Sequence, residues 1–284
     1  MKRIIVMLLA TVANLHIFSQ DFVHEYSIYG STGLSTINYQ LSSGDRSGGF
    51  GGDFGLGYTI FFNTTTQTGN QLGFHTGIGL GIYNATANVN GKTFVTPGLV
   101  DNDTHLDMKY RKFDLHTTLS DYKEKQTITS LNIPIMVLLY VDRYYAMGGF
   151  KFGIPVRSKF RTEGATLTNA AHYTEIDNWA RAQSLSGYGP FNNRETNGTM
   201  KFGVSSLLSL EGGFKFPLGN GLLLYTGVCF DYGLNNVTPS DEYFINYVTN
   251  DPADFSSNSI LAVDAEKIKP MAVGVKVRLT LGKR

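Results

Sequence analysis

Residues 131–155 read L-N-I-P-I-M-V-L-L-Y-V-D-R-Y-Y-A-M-G-G-F-K-F-G-I-P. Two apolar arms meet with only Asp142-Arg143 between them as a turn. In the first arm the odd positions Leu131, Ile133, Ile135, Val137, Leu139 and Val141 are all aliphatic. In the second, Tyr144, Ala146, Gly148, Phe150, Phe152 and Ile154 share one side, opposed by Tyr145, Met147, Gly149, Lys151, Gly153 and Pro155. Such alternation means strands, because successive side chains of an extended chain point to opposite faces. The stretch predicts a hairpin with one continuous apolar face. A soluble sandwich and a membrane barrel share that pattern, and the neighbouring strands separate them.

Upstream, residues 23–39 form a first strand with mixed faces. Phe50, Phe54, Leu56, Tyr58, Ile60 and Phe62 then oppose Gly51, Asp53, Gly55, Gly57 and Thr59. Leu72, Phe74, Ile78, Leu80 and Ile82 oppose Gly73, His75, Gly77, Gly79 and Gly81. Downstream, Leu208, Leu210, Phe214 and Phe216 oppose Glu211, Gly213 and Lys215; Gly219-Asn220-Gly221 reads as a tight turn. Val228, Phe230 and Tyr232 oppose Gly227, Cys229 and Asp231, and Val273, Val275, Val277 and Leu279 oppose Gly274, Lys276 and Arg278. Short links at 63–70, 142–143 and 219–221 fall on one side of this array. Longer ones at 40–48, 84–125, 160–199 and 236–266 fall on the other. Eight antiparallel strands with that asymmetry predict an all-β transmembrane barrel with short periplasmic turns and long external loops. Ten strands are the alternative if residues 94–125 add another membrane-crossing pair.

The minor face decides against a sandwich. A solvent-facing sheet surface is rich in Lys, Glu and Thr, whereas this face is mostly Gly with scattered charges, which suits the narrow inside of a small barrel. The large apolar residues then face lipid. Tyr83, Tyr140, Tyr144, Tyr145, Phe216 and Tyr232 fall near strand ends, where an interfacial girdle belongs.

The first residues are of another kind. Lys2-Arg3, the apolar run 4–13 and Ser19-Gln20 make a secretory signal, giving a signal peptide over 1–19 and a barrel domain over 20–284. No Cys follows the run, which excludes a lipoprotein. Removing the signal takes away Lys2 and Arg3 and no acid, leaving 22 basic against 23 acidic side chains, so neither charge sign points to nucleic acid. A single cysteine, Cys229, excludes an internal disulfide framework.

The run L-N-I-P-I-M-V, a short turn and Y-Y-A-M-G-G-F-K-F-G resemble the signature of the PorT-like outer-membrane β-barrel proteins of Bacteroidetes, which are Gram-negative. The Ser-Gln signal end, the Gly-rich early strands and the last strand around Gly274, Val277 and Leu279 fit the same resemblance. The chain departs from many barrels in ending Gly-Lys-Arg rather than on an aromatic. The resemblance implies an outer-membrane location and no single activity.

Function is read from what faces where. Asp53, His75, Lys151, Arg157, Glu211, Lys215, Asp231, Lys276 and Arg278 all fall on the minor face, in both signs, and predict a cross-lumen charge network, since an unpaired ion there costs several kcal/mol. His105, His116 and His172 lie in polar segments near Asp101, Asp103, Asp107, Asp114 and Glu175, without the spacing of a hydrolase motif. Asp241, Glu242, Asp251 and Asp254 lack calcium-loop spacing. The reading is therefore a non-enzymatic barrel with no catalytic residue, cofactor or metal, in contact with outer-membrane lipid. Its long loops bind a protein partner or ligand, as a secretion or surface-assembly component would. A narrow porin-like channel for small solutes is the second reading, and a loop-based hydrolase or lipid-modifying enzyme the third.

Overall fold

The computed structural model describes residues 22–62, 71–100, 111–181, 187–219, 221–238, 243–247 and 255–282. The signal peptide, His105, Asp101, Asp103, Asp107, Asp241, Glu242, Asp251 and Asp254 lie outside the described residues. The chain opens with β1 (Val23–Gln40), β2 (Asp45–Phe62) and β3 (Gln71–Val89), followed by β4 (Lys92–Val100) and β5 (Lys112–Ser120). Next come β6 (Tyr122–Val141), β7 (Tyr144–Glu163), β8 (Ala165–Tyr173), β9 (Asn178–Ala180), β10 (Gly189–Arg194) and β11 (Asn197–Thr199). β12 (Ser205–Gly219), β13 (Leu222–Gly233), β14 (Ile245–Asn246), β15 (Ser256–Ser257), a one-turn helix α1 (Ile260–Val263) and β16 (Glu266–Gly282) complete it.

Eight strands close a ring in the order β1-β2-β3-β6-β7-β12-β13-β16 and back to β1, every pairing antiparallel. The protein is an eight-stranded transmembrane β-barrel. β4 and β5 do not enter the ring; they lie in a second sheet of order β4-β5-β8-β10, so the ten-stranded alternative falls. The outer wall carries the apolar side of each strand. Val273, Val275 and Val277 of β16, and Phe54 and Leu56 of β2, are about half exposed or more. So broad an apolar wall is stable only against lipid.

Short connections gather at one end, including the Asp142-Arg143 turn, where Asp142 has a φ of 54°, a conformation Asp tolerates. At the other end β1 and β2 are joined by residues 41–44 alone, since β2 already begins at Asp45. The expected girdle is corrected by side-chain parity. Tyr83, Tyr140 and Tyr145 are buried and point inward, whereas Tyr144 and Phe216 are exposed. The outward girdle at the short-turn end is Tyr26 against Tyr58 at 5.2 Å and Tyr144 against Phe214 at 5.3 Å.

The long segments are corrected too, because they are not loops alone. β3, β6 and β7 continue past the lipid belt, and with the second sheet and α1 they enclose a large apolar core. Phe113, Leu115 and Leu119 of β5 meet Ala165, Leu167, Ala171 and Tyr173 of β8 there. This cap closes one end of the barrel.

Candidate functional site

The lumen is filled in three tiers. At the short-turn end Phe61, Met136, Leu138, Tyr140, Tyr145, Met147, Leu223 and Tyr225 pack together. Tyr140 stacks on Tyr225 at 5.7 Å and on Phe61 at 5.1 Å, and the Lys215 ammonium lies 4.2 Å from the Tyr140 ring centroid. The Tyr225 hydroxyl donates to Glu25 at 3.1 Å.

The middle tier holds the charges. Arg278 donates from Nη2 to both oxygens of Glu211, at 2.7 and 2.8 Å, and the Tyr145 hydroxyl donates to the same carboxylate at 3.0 Å. Lys276 reaches Glu211 at 2.9 Å and stands 4.3 Å from the Tyr29 ring centroid. Nearer the cap, Lys151 bridges Asp53 at 3.0 Å and Asp231 at 2.7 Å, while Ser209 donates to Asp231 at 2.6 Å. His75 is 1% exposed and hydrogen-bonds Thr59 through Nδ1 at 2.8 Å. Glycine makes the room: a Cβ on Gly79 would lie 2.3 Å from the Tyr29 hydroxyl. Among the described residues the buried ions of the lumen below the cap are Glu25, Asp53, Glu211 and Asp231 against Lys151, Lys215, Lys276 and Arg278. The two signs balance in a space where an unmatched ion would be costly.

Arg157 is the exception, and here the sequence expectation is wrong. Thr129 pairs with Arg157 but Ser130 with Pro155, so Val156 is an extra residue in β7. This β-bulge reverses the parity of everything beyond it. Arg157 is exposed on the outer wall, and Ser158 takes the inner position.

The third tier is the cap. Glu124 is wholly buried and accepts from the Tyr122 hydroxyl at 2.6 Å, Gln126 Nε2 at 2.9 Å, Ser259 Oγ at 2.5 Å and the Ile260 amide at 3.1 Å. Burial holds the Glu124 carboxyl above its ordinary pKa, and the four hydrogen bonds work in the opposite direction. Through them the segment carrying α1 is pinned over the barrel mouth. On the outer side of the second sheet, β9 folds Trp179 back against β8 and β5. His172 stacks on Trp179 at 4.4 Å and donates from Nε2 to the Asp177 carboxylate at 3.0 Å. His116 approaches the same indole at 4.8 Å, and the Arg181 guanidinium lies 5.2 Å from it. Thr93, Thr118, Thr168 and Asn169 complete this recess. Partial burial and the neighbouring His172 hold the His116 imidazole below its ordinary pKa.

No protein-family model matches the chain, and no curated protein matches it. Among solved structures, the chain is similar to Ail, the attachment invasion locus protein of Yersinia pestis, in complex with the heparin analogue sucrose octasulfate. That likeness has 9% identity, covers 90% of this chain and 97% of that one, and has a TM-score of 0.22. At that score it carries no argument; the barrel stands on its own ring of pairings.

Sequence reasoning missed three features. Glu25 was overlooked because residues 23–39 alternate weakly, yet its parity with Ser27 and Tyr29 was available. Glu124 and its donors were hidden because Ser259 comes from the far end of the chain. The recess around Trp179 brings together His116 and His172, which the sequence had only as separate loop residues. Among the described residues no His, Cys, Asp and Glu cluster into a set of metal ligands.

Proposed function

We propose that this barrel is a non-enzymatic outer-membrane protein that works through its cap, which faces outward and binds a protein partner or ligand. The observation that carries the reading is the filled lumen: an aromatic tier, a balanced ionic tier and a cap core follow one another along the axis. An eight-stranded barrel has an interior about wide enough for its own side chains, so transport has no room to work in. The contact surface then lies on the cap, and the Trp179 recess is its most featured part, with aromatic faces, a guanidinium and hydroxyls side by side. The resemblance of residues 131–153 to PorT-like barrels supports a place in a secretion or surface assembly. The test is capture from native outer membranes with the tagged full chain and with Trp179→Ala and Arg181→Ala variants. A partner held by the wild type and released by the variants is expected. Recovery that is equal for all three, or large steady currents from pure protein in planar bilayers, overturns the reading.

A further inference from the structure

The outer face of the β6–β7 pair changes character at the cap end of the belt. On β7, Phe150, Phe152, Ile154 and Val156 face lipid, and Val156 is 65% exposed. From Tyr144 to Val156 the strand climbs roughly 30 Å along the axis, at ~3.3 Å per residue and a tilt of ~40°, which is the depth of a hydrocarbon core. The bulge then turns Arg157, Lys159 and Arg161 outward. Lys125 stands opposite Arg161, and Lys123 opposite Glu163. Glu163 takes both lysines, at 2.7 and 3.5 Å, and Glu195 takes Arg161 at 3.1 Å. The hydrogen bond from Lys125 holds the Glu163 carboxyl below its usual range.

Arg157 and Lys159 are left without an acid among the described residues. They stand opposite Thr129 and Thr127, level with Ile82 and Asn84 of β3, where that strand's outer face passes from aliphatic to polar. Thr127, Thr129, Asn197 and Thr199 line the same recess. We infer that it binds the phosphate of a membrane lipid headgroup in the cap-side leaflet, with Arg157 and Lys159 as charge partners and the Thr129 and Thr199 hydroxyls as donors. Two cations without acids, at headgroup depth, on a wall continuous with the lipid-facing belt, meet lipid phosphate before any other anion. A guanidinium suits it because its planar donors engage two phosphate oxygens at once. The bulge is what aims them: with regular pairing the same side chains would point into the cap core. The inference rests on the barrel and its belt, not on what the cap binds.

Native mass spectrometry of the detergent-released full chain tests it, with diphosphorylated lipid A and its fully dephosphorylated counterpart as probes. Wild-type protein should retain the phosphorylated lipid at least about tenfold better, as charge-assisted contacts predict. Arg157→Gln/Lys159→Gln should fall to the level of the dephosphorylated probe, and Lys112→Gln, a cap surface cation elsewhere, should match wild type. Heat-modified gel mobility verifies that each variant is a folded barrel. Equal retention of both lipids by the wild type overturns the inference whatever the variants do. So does undiminished retention by the folded double variant, or displacement of the lipid by equimolar inorganic phosphate, which would mark a free-anion site.

Discussion

β5 in the cap and β16 in the barrel alternate with the same period and opposite chemistry. Inward residues of β5 are Phe113, Leu115, Thr117 and Leu119, and outward ones Lys112, Asp114, His116 and Thr118. β16 reverses this, with Lys276, Arg278 and Thr280 inside and Val273, Val275 and Val277 outside. The medium outside the wall makes the difference: lipid rewards exposed aliphatics, water rewards exposed polar groups. β3 crosses from one regime to the other without a break. Its outer face passes from Leu80 and Ile82 to Asn84 and Thr86, as its inner face passes from Gly79 and Gly81 to Ala85 and Ala87. The exchange marks the membrane boundary, and the bulge at Val156 marks it on β7.

The strongest way to break the comparison is to insert one alanine between Thr129 and Ser130 of β6, opposite the bulge. Val156 would then gain a partner, and regular pairing would drive Arg157, Lys159 and Arg161 into the cap core, at several kcal/mol for each buried ion. No folded, heat-modifiable barrel is expected on refolding into vesicles; a folded yield equal to wild type would show that the bulge is dispensable. Arg278→Met attacks the ionic tier alone. It should cost about 3–5 kcal/mol in a urea titration, because Glu211 loses its two-oxygen partner while remaining buried. Phe113→Ala attacks the apolar cap, at about 3–5 kcal/mol, with the loss read as new tryptic cleavage in the cap while the barrel's gel shift persists. Simultaneous loss of both would mean that cap and barrel are one cooperative unit.

Depth along the belt gives a finer test. Leu210→Arg, outward at mid-strand, should cost about 2–4 kcal/mol, whereas Phe214→Arg, level with Tyr144 near the short-turn end, should cost about 0–1. Equal penalties would misplace the belt. The smallest effect is a pH dependence at His116, which faces His172, Trp179 and Asp114. Its folded pKa is depressed, so the unfolded chain takes the proton more readily. The stability it contributes is present above about pH 6.5 and lost as the pH falls below it. Since Trp179 is the chain's single tryptophan, its fluorescence should report that loosening, and a flat signal between about pH 7.5 and 5 would exclude it.

The sequence by itself determined the eight-strand ring, the faces of six of those strands and of β7 up to its bulge, and the ends at which short and long links gather. Those follow from local alternation, and alternation survives wherever a strand is regular. It also held, unread, the cap core, because Phe113-Leu115-Leu119 and Ala165-Leu167-Ala171 alternate as clearly as any barrel strand. Tertiary structure alone decided the rest. Which acid meets which base across the lumen depends on strands as distant in sequence as those of Asp53 and Lys151, and on closure of the ring. Where Arg157 points depends on one unpaired residue, and a one-residue slip turns every later side chain to the other face. The Trp179 recess depends on β9 folding back upon β8, a pairing of three residues that no periodicity announces.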